Sequence, residues 1–255
     1  MMRQLRSYLV RLLICFVLTG PGVAVSTAHG FDLADNTTAY LVGKSCDKRL
    51  VLIGTHHQNA CIHNIIAGSL PSLVKDAGVN TLFVEIATSQ QKALDDFSAG
   101  RIEVEGVRIS GIVNSPGFCE ILRQARKLNL ALVAIDTEDP AQSSRDEWMS
   151  RNVVARLQSN PQTRGIVVVG ARHVLKGIEW ACSTAPSLAD YLEDFDAFSV
   201  VPWPDADGAT LPVAMDVTPL KFTGVKTPLL KAMNVQPHVS LASSADGVIL
   251  LPGER

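Results

Sequence analysis

Four short runs of nearly unbroken aliphatic residues set the tightest limit on what this chain can fold into. They are Leu50-Val51-Leu52-Ile53, Thr81-Leu82-Phe83-Val84, Ala131-Leu132-Val133-Ala134-Ile135 and Gly165-Ile166-Val167-Val168-Val169. A strand with one wet face alternates apolar and polar residues, whereas an unbroken run is what a strand covered on both faces requires. Helical patterns lie between the runs, at 62–75, 89–97, 118–128 and 145–158. Strand alternating with helix implies right-handed βαβ crossovers, hence a three-layer α/β fold with a mainly parallel central sheet. A helix at 188–192 and a strand at 198–201 continue the alternation. Beyond Pro202 the pattern weakens until a last strand-like run at 247–251. No repeat, low-complexity tract or linker interrupts the chain, so one domain is expected.

The 255 residues carry a formal charge of -2 and are 47% hydrophobic and 19% charged, which is ordinary for a globular protein. With a sequence isoelectric point of about 6.3 and its basic residues scattered, the chain has no electrostatic footprint for nucleic acid. Its start pairs Arg3, Arg6 and Arg11 with an apolar stretch at 12–18 and the small residues Ser26 and Ala28. That order matches a secretory signal peptide spanning 1–28, with cleavage expected before His29 or at a nearby site. The apolar run falls short of the ~20 residues a membrane span needs. An exported domain at 29–255, periplasmic or secreted, is therefore expected, with no stable membrane span. Cys15 follows Ile14 where a lipoprotein signal wants a small residue. Cleavage leaves Cys46, Cys61, Cys119 and Cys182, an even number compatible either with disulfides or with buried free thiols.

The chemistry sits at the carboxyl end of each strand. The first run leads into Gly54-Thr55-His56-His57, the second ends at Glu85, the third at Asp136, and the fourth leads into Gly170-Ala171-Arg172-His173. In a parallel sheet all these carboxyl ends share one edge, where ligands of open α/β sheets bind. Glycine at a strand end permits a sharp turn and close backbone approach, so each imidazole three residues later can return over the edge. Two imidazoles and a carboxylate, His57, His173 and Glu85, suit zinc or iron with open positions for water, and a metal so held would supply hydroxide. Without metal, either histidine can act as general base, oriented by Glu85 or Asp136. The alternative is that these residues only cap turns. His63, at the start of the helix after the first motif, fits a supporting or ligating role or a solvated first-turn position. Arg145, Met149 and Asn152 share a helix face, with Asp146 in the first turn. Arg145 there suits a carboxylate, phosphate or haem propionate, or equally an ion pair on a surface helix.

The ordered set Gly54-x-x-His57, Asn59, His63, Val84-Glu85, Gln91-x-x-Leu94-Asp95-x-Phe97, Arg145-Asp146-x-x-Met149-x-x-Asn152 and Gly170-x-x-His173 resembles the haem-binding uptake ChaN-like family. That family shares a superfamily with Tiki proteases, TraB proteins and erythromycin esterases. The resemblance spans a core at 50–201. It implies an α/β core with both motif histidines, Glu85 and Arg145 around one site, and Asn59, His63 and Asn152 behind them. The chain departs from the family pattern at Thr55 and Gln58, where ChaN-like members usually carry acids. Three functions are compatible with this reading. One is a module that binds haem or a metal ion, with Arg145 pairing propionates; Tyr40 and Tyr191 are the tyrosines left after cleavage. Another is a hydrolase of an ester or peptide bond, and the third a protein acting only through contacts. The ligand is thus a small molecule such as haem, or an ester or peptide substrate.

Overall fold

The computed structural model describes residues 33–139, 145–178, 185–204, 206, 209–233 and 235–253. The expected leader at 1–28 and Cys182 lie outside these residues. In chain order the elements are α1 (Leu33–Asp47), β1 (Leu50–Thr55), α2 (Ala60–Ala77), β2 (Thr81–Ala87), α3 (Gln91–Ser98), α4 (Pro116–Lys127), β3 (Ala131–Asp136) and α5 (Arg145–Ser159). They continue with β4 (Gly165–Gly170), α6 (Leu188–Tyr191), β5 (Ala197–Trp203), β6 (Val213–Asp216), α7 (Pro219–Phe222), α8 (Pro228–Ala232), α9 (Leu241–Ser244) and β7 (Gly247–Leu250).

The strands form one sheet in the order β3-β2-β4-β1-β5-β7-β6. Neighbours run parallel except β6, which is antiparallel to β7. Every residue of β1 and β4 is buried, as their unbroken apolar character demands of strands covered on both faces. Alternate side chains enter two cores. Val51 and Ile53 face Ile66, Leu70, Phe118 and Ile121 on one side, while Leu50 and Leu52 face Met149, Val153, Leu188 and Leu241 on the other. Helices thus cover both faces, giving the expected three-layer single domain. Among the described residues no helix is long and apolar enough to cross a membrane. Cys46, Cys61 and Cys119 are free thiols.

Two local features position the site. Gly54 is a packing glycine: a Cβ there would meet the Ala171 Cα and the Val174 Cγ2, each at 2.9 Å. The second feature is a bulge. Val84 pairs with Ala134 and Ala87 with Asp136, so Glu85 and Ile86 stand opposite Ile135 alone. An extra residue of this kind re-aims side chains at a strand end. β2 also leaves β4 after Val84, and the Glu85 side chain takes over, its Oε2 accepting the Gly170 N–H at 2.5 Å.

Candidate functional site

The carboxyl ends of β1, β2, β3 and β4 meet in a cleft of about 1010 Å³ whose floor includes His57, Glu85, Asp136, Arg145, Gly170 and His173. Its centre is an ion triad. Arg145 donates from Nη2 to Glu85 Oε1 at 2.6 Å and to Asp136 Oδ2 at 2.7 Å, and from Nε to Asp136 Oδ1 at 2.8 Å. The side chains of Glu85 and Asp136 are 2% and 9% exposed and that of Arg145 is 16% exposed, so the charges are desolvated and need one another. Burial alone would loosen the guanidinium proton; the hydrogen bonds and charges of Asp136 and Glu85 outweigh it and tighten its hold.

His57 stands over Gly170. A Cβ on Gly170 would lie 3.0 Å from His57 Nε2 and 3.5 Å from Glu85 Oε2, so the missing side chain is what lets imidazole and carboxylate approach. Burial pushes the His57 pKa below the ordinary 6.5; Glu85 pulls it up, while His173, Arg145 and Arg172 push it further down. The balance favours the neutral ring, the form able to accept a proton. His173, 2% exposed, is held from both sides. Its Nδ1 lies 2.6 Å from Asp146 Oδ1, its Nε2 receives the Arg172 Nε–H at 3.1 Å, and Glu85 Oε1 is 3.8 Å from that same Nε2.

The donor set does not fit the expected zinc or iron on His57, Glu85 and His173. Both oxygens of Glu85 are committed, one to a guanidinium, and a metal ion there would sit against that positive charge. Among the described residues no group of three or more His, Cys, Asp or Glu side chains forms a ligand cluster. Arg145 is bonded within the chain to two carboxylates, Glu85 and Asp136.

Other expected residues support the frame. Asn59 caps α2, its Oδ1 accepting from the Ile62 N–H at 3.1 Å. Asn152 donates to the carbonyls of Ile135 at 3.2 Å and Trp148 at 2.9 Å. Thr55, where the family usually has an acid, donates its hydroxyl to the Val169 carbonyl at 3.2 Å. Gln58, the other departure, donates to the Ile112 carbonyl at 3.2 Å and so ties the segment before α4 to the rim. Ile109, Ile112 and Leu229 add apolar rim surface that the sequence did not announce, because the connection between α3 and α4 and the tail after Pro202 carry no motif.

His63 turns away beneath α4. It is 1% exposed, its Nδ1 lies 3.4 Å from Ser115 Oγ, and its Nε2 has no partner among the described residues. A Cβ on Gly117 would come within 2.7 Å of the His63 Cβ. Burial pulls its pKa down to about 4, and His57 adds to the effect. An unfolded chain protonates this ring near 6.5, so acidification from 6.5 to 4 favours unfolding, by about 3 kcal/mol. Urea midpoints measured at pH 7 and pH 4.5 are expected to fall less in His63→Gln than in the natural protein; equal falls would show that this ring does not supply the slope.

The fold and this edge define the class: a three-layer α/β protein with two Gly-x-x-His turns and a buried carboxylate–arginine triad. Comparison with family models and with curated proteins gives no match. Solved structures do match. The erythromycin esterase EreC, in an open conformation, covers 84% of this chain and 93% of its own at TM-score 0.58 and 12% identity. The type III effector HopBA1 covers 86% and 94% at TM-score 0.53 and 18% identity. ChaN of Campylobacter jejuni, described with cofacial haem binding, covers 83% and 90% at TM-score 0.49 and 8% identity. The esterase and effector matches establish the fold that the ordered motifs led one to expect.

Proposed function

We propose that the cleft hydrolyses an ester or peptide bond, with His57 as general base. The observation that supports this most is an imidazole packed over Gly170, near a carboxylate that Arg145 and the Gly170 N–H hold in place; burial favours the neutral ring. The ring takes a proton from water as the oxygen attacks the substrate carbonyl. Glu85 balances the imidazolium. The tetrahedral intermediate then collapses, its bond to the leaving oxygen or nitrogen breaks, and His57 returns the proton to that group. That an erythromycin esterase has the same fold agrees with the reading. The same reading takes residues 1–28 as a leader and the working protein as exported, supported by the arginines, apolar run and small residues of the chain's start. N-terminal sequencing of exported protein is expected to begin at or near His29.

A panel of chromogenic esters and a peptide library assay the protein directly. Turnover is expected whose kcat/KM rises with pH through a midpoint below 6.5, because only the neutral ring accepts a proton, and which chelators leave unchanged. Failure to turn over any member would overturn the proposal in favour of a protein acting through contacts alone. Loss on chelation would return a metal to the site. A Soret shift on haem titration that His57→Ala abolishes would move the reading to haem binding.

A further inference from the structure

We propose that Asp146 is the positioning residue of this site, fixing the tautomer of His173 so that its bare Nε2 faces Glu85. The first two residues of α5, both charged, serve opposite halves of the cleft. Arg145 reaches Glu85 and Asp136, and Asp146 reaches His173. An acid in a helix's first turn ordinarily does no more than balance the helix dipole. Here the carboxylate does something specific. Its Oδ1 lies 2.6 Å from His173 Nδ1 and also accepts the Leu188 N–H at 2.9 Å, at the start of α6. A carboxylate only accepts hydrogen bonds, so Nδ1 carries the proton. The other nitrogen then keeps its lone pair, consistent with the Arg172 Nε–H that it receives at 3.1 Å.

The consequence is a second group able to handle a proton once Arg172 swings off Nε2. Nε2 lies 3.8 Å from Glu85 Oε1 in a residue 2% exposed. To take up a proton there the ring must first release the Arg172 Nε–H; the imidazolium so formed would stand between the carboxylates of Asp146 and Glu85, which offset the nearby Arg172 guanidinium. With the opposite tautomer, Nε2 would present an N–H and no proton could be accepted on the cleft side. The kinetic part of this inference rests on the proposed hydrolysis; the tautomer does not.

Long-range proton–nitrogen NMR spectra of protein labelled with nitrogen-15 in histidine, at neutral pH, read the ring directly, with His173 assigned by its loss in His173→Gln. A protonated Nδ1 and a bare Nε2 are expected. In Asp146→Asn the side-chain amide can donate to Nδ1, so the two nitrogen signals are expected to exchange character and kcat to fall roughly 10²-fold or more. Asp146→Glu is expected to keep the natural tautomer and recover part of the rate. An Nε2–H or doubly protonated ring in the natural protein would overturn the proposal, as would ring signals unmoved by Asp146→Asn. If Asp146→Asn fails to fold, the natural protein and Asp146→Glu still decide it. A correct tautomer in a protein that hydrolyses nothing would end the hydrolase reading and leave the role of Asp146 standing. Turnover with ring signals unmoved by Asp146→Asn would do the reverse.

Discussion

Arg145→Met is expected to destabilise the protein by about 3–5 kcal/mol, the cost of removing one partner from a buried ion cluster. The size reflects the two charges that the substitution leaves behind. Glu85 and Asp136 are 2% and 9% exposed in their side chains, and each loses the guanidinium that balances it. Methionine fills much of the volume, so the loss measures uncompensated charge more than an empty cavity. The control is to remove the charges as well. Adding Glu85→Gln and Asp136→Asn to Arg145→Met is expected to recover part of the deficit, because neutral amides cost less to bury than carboxylates. Urea denaturation of the single and triple variants reads both numbers. A loss below about 1 kcal/mol for Arg145→Met would place the triad among weakly coupled surface pairs and remove the rigid anchor on which the position of Glu85 depends.

That anchor also shows where sequence reading stops. The four strands were legible because burial leaves few polar positions away from their ends, and their shared direction put His57, Glu85, Asp136 and His173 at one edge. Arg145 belonged to the set, yet its partner did not follow from spacing. Carboxylate, phosphate, propionate and surface ion pair are equivalent to a local pattern, and Glu85 lies 60 residues away along the chain. The bulge at Glu85 and Ile86 was hidden for a related reason: a two-against-one register is a property of two strands, and β2 alone looks regular. Helix α1, with Asn36, Thr37, Thr38 and Gly43 among its residues, gave little helical signal and is held by packing against α2. His63 and Asn152 carried the same kind of motif evidence as His57, but one is packed under α4 and the other ties α5 to β3. A motif shows that a position is constrained without showing whether packing or chemistry constrains it. Leu229 shows the converse, since α8 brings it to the cleft from a tail with no motif at all.

Packing and chemistry separate most cleanly at Gly170, where substitution by alanine is expected to leave the fold intact and disable the site. The backbone there has φ -56 and ψ 142, which alanine adopts without strain. The new methyl would lie 3.0 Å from His57 Nε2 and 3.1 Å from its Cε1. Those atoms end a side chain that can swing aside, so the stability cost is expected to stay under about 1 kcal/mol. The catalytic cost is larger, because a base displaced by about 1 Å loses on the order of 10²-fold in rate. His57→Ala itself is expected to lose about 10²–10⁴-fold, the range for removing a general base. The double variant decides the mechanism. If the methyl acts only by displacing the imidazole, Gly170→Ala adds nothing once His57 is gone, and the double variant matches His57→Ala in kcat/KM. If the two losses instead multiply, Gly170 acts on something other than His57, and the neutral imidazole beside Glu85 is not where the proton goes.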